Sequence, residues 1–483
     1  MGRMLDIKKI ENFDDELKKI NNFKAMQNAL FKNSINNVSY NSSNLKFKNQ
    51  DFAINLFTLP AENQRMSGRC WIFAAVNLMR ESICKKLNLE NFALSQSYIA
   101  FWDKFERTNF FLESLISLND APTDDRLYQF ILETGIQDGG QWDMIVNVVE
   151  KYGVVPQNVM PDNFQASNTS WINYLLNWKL RDFAAEMKSI CNLGENALRD
   201  RKDGMLKEIY RLLLSFYGPI PERFDFEYTQ KIKNTSNYAN SSKDFEFKYN
   251  CEKDLTPLEF YNKYIDIKLD AFVSIIHAPQ KSKPFNRKYS FEYLNNVVGG
   301  KPICHYNLDL NFFKYLIVNQ LLKNMPVWFG ADCSWYFDRE NGVWDKNSFD
   351  YSTLFSLNFD VDKGDMLTYK ISAMNHAMLI TGVNLDSDKL CDMKNNLSNN
   401  LSDFYKQVKN LEISKWKIEN SWGDLLGDNG YFIMSDNWFN SFVYQAVVLK
   451  SDLEKIIQRY GIQNPDSQET IILEPWDPIG TLA

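Results

Sequence analysis

The first half of the chain carries apolar residues at helical spacing. In the clearest run they recur at intervals of four, three and four residues, which predicts a helix with one buried face. This run consists of Ile72, Val76, Met79 and Ile83. Similar periodicity predicts helices over residues 142–152 and over most of 171–216, whereas residues 1–50 are polar and predict a helical or extended arm.

Short apolar or alternating runs dominate the second half, and each is bounded by Gly, Asn or Asp. Runs of this kind predict β-strands, and their regular recurrence predicts an antiparallel sheet or half-barrel. The runs cover residues 327–329, 378–383, 415–419, 430–434 and 442–450. Residues 228–255 are polar and predict an exposed excursion, and residues 384–410 predict a loop with a short helix. The two halves together predict an α+β protein.

Length and composition narrow the class of protein. The 483 residues predict about three domains of ordinary size, or one large core with insertions. Apolar residues form 45% of the chain and charged residues 24%, which excludes a mostly disordered protein. The net charge of −7 disfavours nucleic-acid binding, because phosphate contacts require a clustered positive surface. Since only three histidines are present, any imidazole chemistry has few candidates.

Cysteine usage and the start of the chain indicate the compartment. The seven cysteines are odd in number and contain no CxxC pair, so we expect reduced thiols rather than a disulfide framework. The first 20 residues are charged and lack the apolar segment of a signal peptide. No window of 18 apolar residues occurs, so no membrane-spanning helix is expected. The sequence thus predicts a cytoplasmic protein.

One cysteine lies where polar residues lead directly into the first periodic helix. The segment reads Asn63-Gln64-Arg65-Met66-Ser67-Gly68-Arg69-Cys70-Trp71. Unpaired N–H groups and the positive end of the helix dipole stabilise a thiolate there, so we expect the pKa of Cys70 to lie well below ~8.5. Such a thiolate is a nucleophile. The alternative is that Cys70 is a small buried apolar residue, the commoner fate of cysteines.

His376 and Asn420 are the candidate partners of this cysteine. His376 comes just before one predicted strand, and Asn420 follows another, with Trp422 two residues later. An Asn side chain can accept the imidazole N–H while a neighbouring indole shields that hydrogen bond from water. Taken alone, each histidine, including His277 and His305, is more often a satisfied core residue. The order Gln, Cys, His, Asn along the chain indicates a nucleophilic thiol site.

These motifs resemble those of the papain-like cysteine peptidases, and specifically the bleomycin hydrolase/aminopeptidase C family. In papain-like enzymes a Gln precedes the nucleophile by six residues, as Gln64 precedes Cys70. The 306 residues from Cys70 to His376 exceed the usual ~130–150, which fits the branch that carries large helical insertions. The stretches that resemble this branch are 431–436, 444–448 and 474–483.

The resemblance implies a role for each catalytic residue. Cys70 would be the nucleophile, His376 the general acid and base, and Asn420 the residue that orients the imidazole. Gln64 would donate its side-chain amide to the oxyanion, and the backbone N–H of Cys70 would be the second donor. No metal or cofactor is implied.

The resemblance further implies an aminopeptidase whose substrates are peptides with a free N-terminus. Gly139 and Gly140 would let the substrate backbone approach the cleft, and the carboxylate of Ala483 would pair with the substrate's α-amine. The family also implies a homohexamer. Neither a membrane nor a nucleic-acid partner is expected.

The implied architecture is the papain-like two-lobed fold, with a helical lobe, an antiparallel β half-barrel lobe and large helical insertions. The expected segments are an N-terminal arm at 1–55, a helical lobe with the nucleophile helix at 56–165, a mainly helical insertion at 166–300, a β-rich lobe with the histidine and asparagine at 301–450, and a C-terminal arm at 451–483.

Two alternatives stay open on the sequence. One is a papain-like endopeptidase in which residues 1–55 form a removable inhibitory segment. The other is a non-catalytic interaction protein or nucleic-acid-binding barrel, which the negative charge and the intact motif residues disfavour.

Overall fold

The computed structural model describes residues 4–20, 22–43, 51–233, 245–386, 400–409, 412–460 and 464–483. Within them the α-helices are α1 (Ile7–Leu17), α2 (Phe23–Lys32), α3 (Ile35–Ser39), α4 (Cys70–Leu87), α5 (Gln96–Ser117), α6 (Arg126–Thr134), α7 (Trp142–Tyr152), α8 (Ser170–Ser189), α9 (Glu195–Tyr217), α10 (Pro257–Tyr264), α11 (Leu310–Leu322), α12 (Tyr351–Phe355), α13 (Lys363–Thr368), α14 (Leu401–Lys409), α15 (Asp436–Phe442) and α16 (Lys450–Tyr460). None of these described helices is long and apolar enough to cross a bilayer.

The strands follow the same chain order and concentrate in the second half. They are β1 (Ile54–Asn55), β2 (Phe224–Lys233), β3 (Phe245–Leu255), β4 (Phe272–Ile276), β5 (Arg287–Phe291), β6 (Cys304–Asn307), β7 (Val327–Ala331), β8 (Phe337–Asp338), β9 (Val343–Trp344), β10 (His376–Asn384), β11 (Lys415–Glu419), β12 (Tyr431–Ser435), β13 (Val443–Leu449) and β14 (Ile471–Leu473). The runs predicted as strands therefore form β7, β10, β11, β12 and β13.

One large mixed sheet forms the centre of the molecule. Among the described residues its order is β14-β5-β6-β4-β13-β7-β10-β11-β12-β9-β8, with β1 also paired to β10. The middle, from β4 to β12, is antiparallel as predicted. Toward the two ends of the sheet, the pairs β14–β5, β6–β4 and β12–β9 are parallel. The predicted α+β class is confirmed, with parallel pairs that the sequence pattern did not indicate.

Both faces of this sheet are covered, which explains the continuous apolar strands. Along β10, Ala377 and Leu379 face a core shared with α4, α5 and α7, whereas Met378 and Ile380 face a second core shared with α11, α15 and α16. Successive side chains of a strand point to opposite faces, so a sheet buried on both sides requires apolar residues at every position.

Helix α4 is buried on nearly every side, which differs from the single buried face that its periodicity predicts. Fourteen of its 18 residues are buried. They include the polar Asn77 and Arg80, which both reach the buried carboxylate of Glu419 on β11. A helix that lies between other helices and a sheet loses its solvent-exposed face, and its buried polar side chains must then find partners inside the protein.

Two polar regions differ from their predictions in detail. Residues 228–255, predicted as an exposed excursion, lie within the hairpin β2–β3, which begins at Phe224, and residues 234–244 lie outside the described part. A two-stranded hairpin with exposed side chains needs no apolar alternation, so its sequence gives no strand signal. In the predicted loop at 384–410, residues 387–399 likewise lie outside the described part, and α14 supplies the predicted short helix.

Strands also occur in the range 166–300, which was predicted to be mainly helical. β4 and β5 lie there and join the central sheet beside β6. Their apolar runs are only five residues long, and periodicity alone does not separate such a run from a piece of buried helix. The boundaries predicted for the five segments remain a prediction.

The last ten residues cross back over the helical lobe and end inside the molecule. The ring of Trp476 lies edge-on to Phe130, 5.5 Å between centroids, and the guanidinium of Arg126 lies 4.1 Å from its centroid. Asp477 forms an ion pair with the buried Lys283 at 2.9 Å. These contacts anchor the C-terminal arm, and Ala483 at its end is buried.

Candidate active site

Cys70 is the first residue of α4, as its sequence context predicts. The preceding Arg69 forms an ion pair with Asp162 at 2.7 Å, which holds the turn into the helix. The backbone N–H groups of Cys70, Trp71 and Ala377 interact with the sulfur, and each favours the thiolate. Since Ala377 belongs to β10, this contact brings the nucleophile helix and the sheet together.

His376 is the first residue of β10, and Asn420 follows directly after β11. The imidazole Nε2 lies 2.8 Å from Asn420 Oδ1, so Nε2 carries the proton and donates it to the carboxamide oxygen. This arrangement leaves Nδ1 as the basic nitrogen of the ring. The indole of Trp422 stacks on the imidazole with centroids 5.1 Å apart and covers the hydrogen bond, as the sequence predicts.

Burial reverses the low pKa expected for Cys70. It raises the pKa of the Cys70 thiol to about 11, against the opposing effect of the backbone N–H groups. Burial also lowers the pKa of His376 to about 4, although the hydrogen bond that the imidazole donates to Asn420 opposes that shift. As long as its partner carries no charge, the Cys70 thiol stays protonated and the His376 imidazole stays neutral at pH 7. Ionisation requires a proton transfer from sulfur to imidazole, because each new charge is then stabilised by the other.

Gln64 links the nucleophile loop to the segment after Asn420. Its Nε2 donates to the Ser67 carbonyl at 2.5 Å, and its Oε1 accepts from the Ser421 hydroxyl at 2.5 Å. The Gln64 backbone N–H also donates to the Ser421 carbonyl at 2.8 Å. The amide orientation is thus defined, and the second N–H of Nε2 is the one that an oxyanion could use.

The two glycines and the chain end meet in the loop before α7. The Gly140 N–H donates to the Ala483 backbone oxygen at 3.0 Å, and the Ala483 N–H donates to the Gly140 carbonyl at 3.2 Å. A Cβ on Gly139 would lie 2.6 Å from the Ala483 oxygen, and a Cβ on Gly140 would lie 2.5 Å from the Trp71 ring. Both positions require glycine because another backbone and an indole approach so closely.

The predicted site residues fall into two adjacent groups. Trp71 connects them, since it follows the nucleophile directly and packs on Gly140. One group comprises Gln64, Cys70, His376 and Asn420, and the other comprises Gly139, Gly140 and Ala483. The two remaining histidines lie elsewhere: His277 bonds the Leu308 carbonyl and His305 bonds the Ser274 hydroxyl, and both are buried.

Three charged residues that support the glycine loop were missed from the sequence. The Asp138 carboxylate forms an ion pair with Lys104, with 2.6 Å between Oδ1 and Nζ. Arg107, one helical turn after Lys104 on α5, donates to the Gly139 carbonyl at 2.7 Å. The available signal was the placement of Asp138 directly before two glycines, together with two cations at a spacing of three on a largely apolar helix.

This set of groups supports acyl transfer through a thioester. A thiol, an imidazole oriented by a carboxamide and a side-chain amide beside the nucleophile are the parts of a papain-like cysteine peptidase site. Comparison with known proteins agrees. The family model of the Peptidase C1-like family matches residues 4–403 and 404–480, and the chain belongs to this family.

Relatives over the full length identify the branch. The chain is 39% identical over 488 residues to aminopeptidase C of Lactobacillus delbrueckii subsp. lactis, covering 100% of this chain and 99% of that protein. It is 35% identical over 431 residues to human bleomycin hydrolase, covering 88% of this chain and 86% of that protein. The solved structure of PepW from Lactobacillus rhamnosis HN001 superposes with a TM-score of 0.87 at 37% identity, over 100% of both chains. The predicted family and two-lobed fold are confirmed.

Proposed function

We propose that the protein hydrolyses the N-terminal residue from peptides through a Cys70 thioester. Membership of the family and the names of the relatives bear out a cysteine-type aminopeptidase. The assignment of individual residues rests on the geometry. The single observation that carries it is the His376 Nε2–Asn420 Oδ1 hydrogen bond of 2.8 Å at the N-terminus of the Cys70 helix.

The chemistry uses the resting neutral pair. His376 Nδ1 takes the thiol proton as the Cys70 sulfur bonds to the substrate carbonyl carbon, and the resulting oxyanion accepts hydrogen bonds from Gln64 Nε2 and the Cys70 N–H. The C–N bond then breaks, and the imidazolium gives its proton to the leaving amine. Water attacks the thioester, His376 accepts the water proton, and the sulfur leaves and takes that proton back, releasing an amino acid.

The C-terminal arm supplies the proposed restriction to free N-termini. Ala483 pairs with both main-chain groups of Gly140, and Gln141 Nε2 donates to the Thr481 carbonyl at 2.5 Å. A peptide segment therefore already occupies the edge that Gly139 and Gly140 offer. The terminal carboxylate of the arm would pair with a substrate ammonium, and in a water-poor cleft an unpaired charge is costly.

Truncation of the arm tests this proposal. Deleting residues 481–483 should weaken hydrolysis of free-amine peptide substrates and raise endopeptidase cleavage of N-blocked peptides. A control that removes the anchor but keeps the carboxylate, Trp476→Ala, should change KM for free-amine substrates more than it changes the preference for a free amine. If the truncated protein keeps the full preference for free amines, the arm only packs and the proposal fails.

Among the described residues of segment 1–55, no contact supports the alternative of an inhibitory N-terminal segment. In the described residues of the arm, Tyr40 pairs with Phe349, Asn36 accepts from Tyr351 at 3.0 Å, and β1 pairs with the end of β10 away from His376. The backbone edge at Gly140 is occupied by the C-terminus instead. These contacts favour the aminopeptidase.

We also propose that the chain assembles as a homohexamer in the cytoplasm. Helix α1 leaves an apolar stripe uncovered, with Ile7 72% and Phe13 45% exposed and Ile10 and Leu17 between and beyond them on the same face. A second copy of the chain would cover such a stripe. Light scattering should give six times the mass of one chain, 56.6 kDa, and Phe13→Glu should lower it. A monomer at all concentrations would contradict the assembly.

A further inference from the structure

Asp138 stands directly before the glycine pair and has contacts on three sides. Its carboxylate accepts a charge-assisted hydrogen bond from Lys104 at 2.6 Å, a hydrogen bond from the Thr169 hydroxyl, and one from the Gly68 backbone N–H at 3.2 Å. These donors belong to α5, to the segment before α8 and to the nucleophile loop. One side chain thus holds three parts of the helical lobe together at the active site.

The backbone of Asp138 reaches the nucleophile helix as well. Its carbonyl accepts from the Trp71 indole N–H at 2.6 Å. Gly68 and Trp71 flank Cys70, so Asp138 is bonded on both sides of the nucleophile. Two residues further along, Gly140 carries the backbone edge that pairs with the chain end. Asp138 therefore lies between the reacting thiol and the edge that positions whatever lies along the cleft.

The buried ion pair between Asp138 and Lys104 is expected to add little to the stability of the fold. The side chain of Lys104 is only 2% exposed and that of Asp138 11%. Buried ion pairs typically add little or nothing to stability compared with apolar residues of similar size, whereas they define geometry sharply. Burial alone would raise the pKa of Asp138, but Lys104 and the hydroxyl donor lower it well below its usual range, so the group is a carboxylate.

We propose that Asp138 is a positioning residue that sets the register between the Cys70 thiol and the Gly139–Gly140 edge. The proposal rests on the proposed function, because that edge matters only if a peptide is held there for attack by the thiol. Lys104 is the counter-charge that allows a carboxylate to lie this close to a thiol that must ionise. The pair acts through the nucleophile loop and touches no reacting atom.

Several charged or titratable groups surround the thiol, and the test must separate them. They are His376, whose neighbour Ala377 bonds the sulfur, Asp138 before α7 and Cys333 after β7. Behind them, Lys104 pairs with Asp138 and Arg107 donates to the Gly139 carbonyl. The charge of Asp138 raises the pKa of Cys70, and its effect is limited by Lys104. Changing either member of the pair therefore changes the field at the sulfur in a predictable direction.

The experiment compares Asp138→Asn with Lys104→Met in the full-length protein. Asp138→Asn keeps an oxygen for Gly68 and Thr169 but leaves Lys104 uncompensated. We expect kcat/KM on a free-amine peptide amide to fall about 10²-fold, mostly in kcat, since misplacement of reacting groups by about 1 Å has that cost. The pH midpoint for iodoacetamide alkylation of Cys70 should move down in Asp138→Asn and up in Lys104→Met.

A matched control lies on the same helix. Glu106 on α5 is also a buried carboxylate, paired with Lys151 at 2.5 Å, and contacts neither the nucleophile loop nor the glycine pair. Glu106→Gln should lower the melting temperature. Its kcat/KM should stay within twofold of wild type, and the pH midpoint for alkylation of Cys70 should not shift. If Asp138→Asn does not fold, Thr169→Val removes one donor without isolating a charge and should lower kcat/KM about tenfold.

Two results overturn the proposal: a kcat/KM for Asp138→Asn within twofold of wild type, or alkylation midpoints that do not move in opposite directions. Alkylation needs no substrate, so its outcome is independent of the proposed function. A wild-type protein that fails to cleave free-amine peptides refutes that function, and the alkylation shifts then still decide whether the Asp138–Lys104 pair acts on the Cys70 sulfur.

Discussion

The sheet regions around His376 and His305 differ less in burial than in what each ring faces. His376 is 7% exposed and His305 0%, and burial lowers the pKa of His376 to about 4 and that of His305 to about 3. Each ring has one strong partner at 2.8 Å, the Asn420 oxygen for His376 and the Ser274 hydroxyl for His305. Burial and pKa therefore do not distinguish the proposed catalytic histidine, His376, from His305.

Position in the strand separates the two histidines. His376 starts β10 at the end of the sheet that meets the N-terminus of α4. His305 lies within the paired part of β6, where it is opposite Ser274 on β4 and Tyr289 on β5, and its Nε2 has no hydrogen-bond partner among the described residues. A catalytic imidazole needs one nitrogen oriented and the other free to take a proton from the nucleophile. At the strand end, Asn420 holds Nε2 of His376 and leaves Nδ1 as the basic nitrogen, as the proposed mechanism requires.

The largest difference in kcat/KM between the two regions is expected when each histidine is replaced by alanine. His376→Ala should reduce kcat/KM about 10⁴-fold, because the proton carrier is lost. Its Cys70 should also alkylate slowly at pH 7, since burial raises the thiol pKa and no imidazole is left to accept the proton. His305→Ala should destabilise the fold by about 2 kcal/mol and leave kcat/KM within twofold. Equal losses of activity in two folded variants would contradict the comparison.

The glutamines of the two regions form the next pair. Gln64 is the proposed oxyanion donor, and its loss typically costs 10²- to 10³-fold, so Gln64→Ala should be slow but active. Gln445 donates to Ser274 at 2.7 Å beside His305 and serves as the control. Steady-state kinetics of Gln445→Ala should match wild type. A Gln64→Ala variant with full kcat would remove the glutamine from the oxyanion site.

Replacing the hydrogen-bond partner of each imidazole should give a smaller difference in kcat between the two regions. Asn420→Ala leaves His376 in place but free to rotate, and we expect kcat to fall roughly 10²-fold, less than for His376→Ala. Ser274→Ala removes the corresponding partner of His305 and should alter only thermal stability. If Asn420→Ala instead shows unchanged kcat with a large drop in melting temperature, Asn420 is structural.

Stability should fall with acid, and here the two regions should behave alike. All three histidines have lowered pKa values, to about 3 for His277 and His305 and about 4 for His376, chiefly because of burial. Below pH 6.5 the unfolded chain binds protons that the folded chain does not, so the stabilisation present above pH 6.5 is lost as the pH falls toward 4. At pH 5 the loss is about 2 kcal/mol for each histidine.

Denaturant unfolding between pH 8 and pH 5 checks this expectation. His376→Ala removes one of three titrating groups, so its unfolding free energy should depend less steeply on pH than that of wild type. An identical slope in the two proteins would show that His376 does not contribute and is solvated in the folded state.

The sequence placed the proposed reacting groups at the helix start and strand ends where the structure has them, because the signals for those elements are local. Cys70 follows a small polar segment and opens an apolar-periodic run, which together specify a helix start. The strand preceding Asn420 and the strand beginning at His376 are short apolar runs with clear boundaries. The low pKa expected for Cys70 took account of the helix end and of the imidazole of His376, but not of the burial of the sulfur by the sheet, which raises the pKa of the thiol.

The sequence alone determined the order of the Gln, Cys, His and Asn motif residues and the succession of a helical half and a strand-rich half. It also determined the family that these features match. Only the tertiary structure decided which strands pair in parallel, that α4 is buried on nearly all sides, and that Ala483 meets Gly140 across more than 300 residues. It also brought Lys104 and Asp138 together beside Cys70. Local patterns record which backbone conformation a segment prefers, whereas burial and ion pairing depend on residues that become neighbours only after the chain has folded.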